Sequence, residues 1–182
     1  DGGFWVKAVS GDLAPKLTGG HESHGAPPGL HLMLSPLIFF PAAALLPAAL
    51  VHGWKKRREP FVRFALAWLI PSWLVFEAAP TKLVHYTLPL FGALAWLAAA
   101  ALTETIGPWG RRLGAALSVL LGAAFAGLCL WAARTYGGAG AEPWAVACAA
   151  LMLLAGAAGA AGVLRPRFAP ALVAAGALGI VA

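Results

Sequence analysis

The feature that most constrains this chain is a succession of apolar runs, each long enough to cross a bilayer and almost free of charge. Leu30 to Trp54, Phe61 to Ala78, Tyr86 to Thr103, Leu113 to Ala133 and Trp144 to Leu164 approach or reach the length needed, and a sixth run starts near Phe168 and is truncated at Ala182. A helix crosses the hydrocarbon core in about 20 residues. In lipid every backbone polar group must be satisfied within the protein, so only helices or closed barrels can span. No strand alternation occurs here, and the expected fold is therefore all-α and integral to the membrane. It has about six transmembrane helices, with spans near 30–54, 61–78, 86–103, 113–133, 144–164 and 168–182. Pro36, Pro41, Pro47, Pro71 and Pro89 fall inside the first three spans and should kink them.

Composition closes the other routes. Of 182 residues 60% are hydrophobic and 11% charged, against roughly 25% charged in soluble domains. The 22 Gly and 14 Pro are dispersed through Leu, Ala, Val, Phe and Trp runs, which excludes a disordered linker. A net charge of +6 would raise nucleic acid as a partner, but the distribution of the basic residues answers differently. Lys55, Lys56, Arg57, Arg58, Arg63, Arg111, Arg112, Arg165 and Arg167 all fall on one side if spans alternate. That side is cytoplasmic by the positive-inside rule, and no nucleic-acid partner is expected. Lys7, Lys16, Lys82 and Arg134 lie on the other side.

The first 29 residues are thereby an extracytoplasmic loop, and residues 30–182 the helical bundle. Trp5, Val9, Leu13 and Leu17 recur at helical spacing, which predicts a short amphipathic helix on the membrane surface. Trp54, Trp109 and Trp144 stand at span ends as interfacial anchors, and His31 and His52 read as interfacial too. Gly156, Gly159 and Gly162 should let helix backbones approach closely. Cys129 and Cys148 lie within apolar runs, so neither a disulfide framework nor a cysteine metal site is expected. The chain begins at Asp1 and ends within an apolar run, and we read it as a piece of a longer protein.

Two constellations could carry chemistry. His21-Glu22-Ser23-His24 places two imidazoles and a carboxylate on the outer loop, a donor set that could hold a divalent metal. The histidines stand three apart, so the zinc-protease motif, which needs four, is absent. The alternative is an ordinary solvated polar loop. The second constellation is the turn Pro80-Thr81-Lys82-Leu83-Val84-His85-Tyr86. If the third span begins there, Lys82, His85 and Tyr86 share a helix face, and ammonium, imidazole and phenol all donate to phosphate oxygens. A snorkelling lysine beside an interfacial tyrosine is the competing explanation. Glu77, ionisable within an apolar run, is expected to be functional or paired, with Lys82 as the nearest cation in sequence.

The run Gly-His-Glu-Ser-His-Gly-Ala-Pro-Pro-Gly at 20–29, with Phe64-Ala-Leu-Ala-Trp-Leu-Ile-Pro-Ser-Trp-Leu-Val-Phe-Glu77 and Pro80-Thr-Lys-Leu-Val-His-Tyr-Thr-Leu-Pro-Leu90, resembles bacterial membrane glycosyltransferases. These are of the dolichyl-phosphate-mannose protein mannosyltransferase superfamily (GT-C type), and the lipid A aminoarabinose transferase-like branch is the nearest in look. The resemblance covers about Phe4 to Ala100. It implies an enzyme of the bacterial inner membrane that moves a sugar from a polyprenyl-phosphate donor to a lipid or protein acceptor on the periplasmic face. The general base of such enzymes is a carboxylate on a first outer loop that is not in this sequence, so the catalytic residue is unknown. The resemblance further implies that Lys82, His85 and Tyr86 bind the donor phosphate, and that His21, Glu22 and His24 form a loop site. Gly25 stands where aminoarabinose relatives often carry Arg, which leaves the sugar and acceptor open. The alternative function is a helical segment of a transporter or flippase, for which inverted repeats and mid-bilayer charges would be expected. A non-catalytic membrane scaffold is a third reading.

Overall fold

The computed structural model describes residues 2–14 and 25–165. Helix α1, Gly2–Val6, continues into a π-helical stretch, Lys7–Leu13, and Phe4, Trp5, Val6 and Val9 on it are exposed. Helix α2 runs Leu30–Ile38, and a 3₁₀ turn, Ala42–Leu45, leads into α3, Leu46–Lys55. Helix α4 is Pro60–Ala78, and a 3₁₀ segment, Val84–Leu90, leads into α5, Phe91–Leu102. Two long helices follow, α6 at Pro108–Tyr136 and α7 at Ala141–Leu164. No strand forms among the described residues, where the sole extended pairing is an isolated bridge of Gly25 with Thr81.

Among the described residues four helical runs are long and apolar enough to cross a membrane: Pro60–Ala78, Val84–Leu102, Pro108–Tyr136 and Ala141–Leu164. The fold is all-α and of integral-membrane type. The first expected span is not one rod. Helices Leu30–Ile38 and Ala42–Lys55 pass the test only as a pair with a sharp break, a broken span or a re-entrant loop. The break includes Pro41, which offers no backbone donor to carry a helix through. Pro71, by contrast, lies within an unbroken α4, and Pro36 within α2. The sixth expected span lies outside the described residues.

The chain divides into two compact units, Asp1–Ser35 with Arg58–Leu94, and Pro36–Arg57 with Ala95–Ala182. In the second, α6 and α7 pack as an antiparallel pair through small residues. The Ser118 hydroxyl donates to the Gly156 carbonyl at 2.9 Å. A methyl group on Gly122 would come within 2.8 Å of the Met152 carbonyl, and one on Gly156 within 2.8 Å of the Ser118 carbonyl. Backbones this close are the small-residue packing that lipid-embedded helices use in place of a hydrophobic drive. Trp54, Trp109 and Trp144 are exposed, as interfacial anchors must be.

Candidate functional site

In the first unit, α4 ends at Ala78 and leaves its last carbonyls without intrahelical partners. Lys82 satisfies them. Its Nζ donates to the carbonyls of Ala79 at 2.5 Å, Glu77 at 2.7 Å and, more weakly, Phe76 at 3.4 Å. An ammonium has three donors, and all three are committed to the helix end. The side chain is 5% exposed, a cation set where the helix dipole is negative. Lys82 therefore does not share a helix face with His85 and Tyr86, as the spacing suggested. Leu83 is extended at φ −110 and the helical turn starts only at Val84.

Glu77 is not the side-chain partner of Lys82 either. Helix α2 begins after Pro27-Pro28-Gly29, which supplies no capping side chain. The Glu77 carboxylate takes that place from a distant part of the chain, accepting from Gly29 N at 2.7 Å and Leu32 N at 2.8 Å. Gly29 sits at φ +100, a left-handed conformation that side chains resist, and so presents its N–H to the carboxylate. His31, expected at the interface, is instead fully buried. Its Nε2 lies 3.1 Å from the Leu83 carbonyl, which can only accept, so Nε2 carries the proton. Its Nδ1 faces the Glu77 carboxylate at 3.8 Å.

The segment leading into α2 is thus tied to the turn at several points. Gly25 bridges Thr81, Ala26 N donates to the Pro80 carbonyl at 3.3 Å, Glu77 holds the start of α2, and His31 holds Leu83. Next in the chain, His85 is exposed and edge-on to Tyr86, with ring centroids 5.2 Å apart. Tyr86 packs against Phe76 at 6.0 Å. Of the turn residues singled out by sequence, His85 and Tyr86 stand together, while the Lys82 ammonium is drawn to the helix end. His21, Glu22 and His24 lie outside the described residues. Among the described residues no group of three or more His, Cys, Asp or Glu is placed to hold a metal ion.

The second unit holds a polar cluster that sequence did not foresee. His52, 8% exposed, lies with Nδ1 3.5 Å from Glu104 Oε2, and Lys56 Nζ is 3.3 Å from Glu104 Oε1. The hydrogen bond from Lys56 lowers the Glu104 carboxyl below its ordinary value of 4.5. The signal that applies to Glu77 applies equally to Glu104, which the sequence reading did not single out. Glu77 and Glu104 are the lone carboxylates of long apolar stretches, and each meets a histidine read as interfacial.

These features define a multi-pass, all-α membrane chain in which the turn after α4 and the segment before α2 are tied together by polar contacts. Compared with known proteins, it is 36% identical over 97 residues to undecaprenyl phosphate-alpha-4-amino-4-deoxy-L-arabinose arabinosyl transferase 2 of Proteus mirabilis, covering 53% of this chain and 17% of that protein. It is 31% identical over 128 residues to the corresponding transferase of Aeromonas salmonicida, covering 70% and 22%. With transferase 1 of Sodalis glossinidius it shares 33% identity over 143 residues, covering 78% and 24%. The chain is a relative of these arabinosyl transferases, and spans about a fifth of their length. No family model and no solved structure matches it.

Proposed function

We propose that this chain is part of a membrane glycosyltransferase of the bacterial inner membrane. It moves a sugar from a polyprenyl-phosphate donor to a lipid or protein acceptor at the periplasmic face, a reaction of the lipid A modification type. The observation that carries this reading is the relationship to transferases named for an undecaprenyl-phosphate-linked amino sugar. The outer turn supports it with a chemistry suited to the leaving lipid phosphate. His85 and Tyr86 offer donors to phosphate oxygens from an accessible position, and Lys82 adds positive charge from beneath while fixing the turn. His21, Glu22 and His24 serve as the loop site, and their two imidazoles and carboxylate are a donor set that a divalent metal accepts.

The test is sugar transfer by the purified full-length protein in nanodiscs, with an undecaprenyl-phosphate-linked aminoarabinose donor. His85→Ala together with Tyr86→Phe is expected to cut turnover at least tenfold while leaving the unfolding midpoint in place. Undiminished transfer by that double variant would overturn the site assignment. No transfer by the unaltered protein with any polyprenyl-phosphate sugar would overturn the function.

A further inference from the structure

His31 stands between two acceptors. It is fully buried, its Nε2 lies 3.1 Å from the Leu83 carbonyl, and its Nδ1 lies 3.8 Å from Glu77 Oε2. A neutral imidazole carries one ring proton and donates to one partner only. With that proton on Nε2, the Nδ1 lone pair is turned toward a carboxylate, and two electron-rich atoms face each other. One form of the ring suits a carbonyl and a carboxylate together, the imidazolium, which donates from both nitrogens.

The charge on Glu77 favours the same form. Its carboxylate is 12% exposed and accepts from Gly29 N and Leu32 N, which are neutral amides. Lys82, the nearest cation along the chain, spends its ammonium on the carbonyls of Phe76, Glu77 and Ala79. His85 is exposed and set against Tyr86, and α2 carries no ionisable side chain besides His31. A carboxylate drawn out of water is costly without a counter-ion. His31 is the group placed to become one, at a separation that suits an ion pair and that a proton on Nδ1 would draw into a hydrogen bond.

The effect reaches the turn through one oxygen. The Leu83 carbonyl that meets His31 Nε2 also accepts the backbone N–H of Tyr86 at 3.0 Å. That bond starts the 3₁₀ segment Val84–Leu90, on which His85 and Tyr86 stand. Carboxylate, imidazole and carbonyl form one line of polar contacts that ends on the two side chains assigned to the donor phosphate. We propose that His31 is a positioning residue for the donor site, a role that rests on that assignment, and that a second proton on Nδ1 sets it. The imidazolium joins Glu77 to Leu83 and fixes the backbone that presents His85 and Tyr86. Donor binding then strengthens as pH falls through the range in which imidazole side chains change charge, about 8 to 5.

The experiment compares the full-length protein with its His31→Gln variant in nanodiscs, from about pH 8 to about pH 5.5. Glutamine keeps an N–H donor for the Leu83 carbonyl and cannot take up the proton. Affinity for undecaprenyl phosphate is read as the ratio of wild type to variant, in which the ionisation of the phosphate and of His85 cancels. That ratio should rise about tenfold toward the acidic end, the worth of one charge-assisted hydrogen bond. Hydrogen exchange without donor, in the peptide spanning residues 26–35 and corrected for the intrinsic effect of pH, reads the tie itself. Protection should rise toward the acidic end in wild type and stay level in His31→Gln and in Glu77→Gln, which lacks the charge that holds the proton. Protection that runs parallel in wild type and His31→Gln would overturn the proton tie. A binding ratio that stays flat while the donor still binds would overturn the positioning role alone. Failure of both proteins to bind undecaprenyl phosphate at any pH would overturn the assignment of the turn to the donor, and the positioning role with it.

Discussion

Replacing Glu77 by alanine is the perturbation whose consequence the structure specifies most closely. The carboxylate is 12% exposed and accepts from Gly29 N at 2.7 Å and Leu32 N at 2.8 Å, so it is the remote cap of α2. Loss of a helix cap costs about 1 kcal/mol, and hydrogen bonds to a charged group contribute about 1.5–3 kcal/mol each. Partial rehydration of the two freed N–H groups brings the expected local loss to about 2–4 kcal/mol. At 1.4 kcal/mol per decade, that is a rise of about 30- to 700-fold in the opening equilibrium of the first turn of α2. Hydrogen exchange on the full-length protein in nanodiscs, followed in a peptide spanning residues 26–35, reads this directly. Glu77→Gln keeps one acceptor oxygen and loses the charge, so its exchange should fall between alanine and wild type. Since α2 is held against the turn through Glu77 and His31, the proposed sugar transfer should decline in the same order. Wild-type exchange at Gly29 and Leu32 in the alanine variant would refute the capping role, whatever happened to activity.

Lys82→Met keeps the length of the side chain but leaves the carbonyls of Glu77 and Ala79 uncapped. It should lower both the unfolding midpoint and transfer, whereas a purely catalytic lysine would lower transfer alone. Gly122→Val drives a branched side chain into the Met152 carbonyl, and overpacking of this kind costs about 1–3 kcal/mol, measurable as a fall in the unfolding midpoint in detergent. For Glu104, folding holds the carboxyl below its ordinary 4.5, chiefly through Lys56. The stability it lends is therefore fully present above the unfolded value and is lost as pH falls through the folded one. Unfolding midpoints should stay level from pH 7 to about 5 and drop below that, and Lys56→Met should flatten the drop. For the loop site, elemental analysis of the full-length protein should find a divalent metal that His24→Ala releases, and metal-free active protein would remove that assignment.

Apolar run length and the grouping of basic residues made the helical spans readable, because both follow from the cost of placing backbone and charge in lipid. Boundaries such as Pro60 and Pro108 shifted by a few residues because proline starts helices as readily as it breaks them. The break at Pro41 and the continuity through Pro71 were not separable from sequence, since both sit in apolar runs and the outcome depends on neighbouring helices. At the turn, helical spacing puts Lys82, His85 and Tyr86 on one face, whereas the Lys82 ammonium turns to the carbonyls at the end of α4. A flexible lysine next to uncapped carbonyls follows the stronger local field, and spacing carries no information about that. Glu77 was recognised as a residue that must be paired, yet its partners are 45 and 48 residues away. They are backbone groups, which leave no signature in side-chain patterning. The burial of His31 and His52 has the same origin, a contact with a lone carboxylate distant in sequence.

The proposed grip of His85 and Tyr86 on the phosphate of a lipid donor can be measured directly. Binding of undecaprenyl phosphate to the full-length protein in nanodiscs, compared between wild type and the His85→Ala/Tyr86→Phe variant, measures that grip without reference to turnover. Affinity should fall at least tenfold in the variant, while binding of phosphate-free undecaprenol is weak in both. Equal affinity of the two proteins for undecaprenyl phosphate would mean that His85 and Tyr86 do not hold the phosphate.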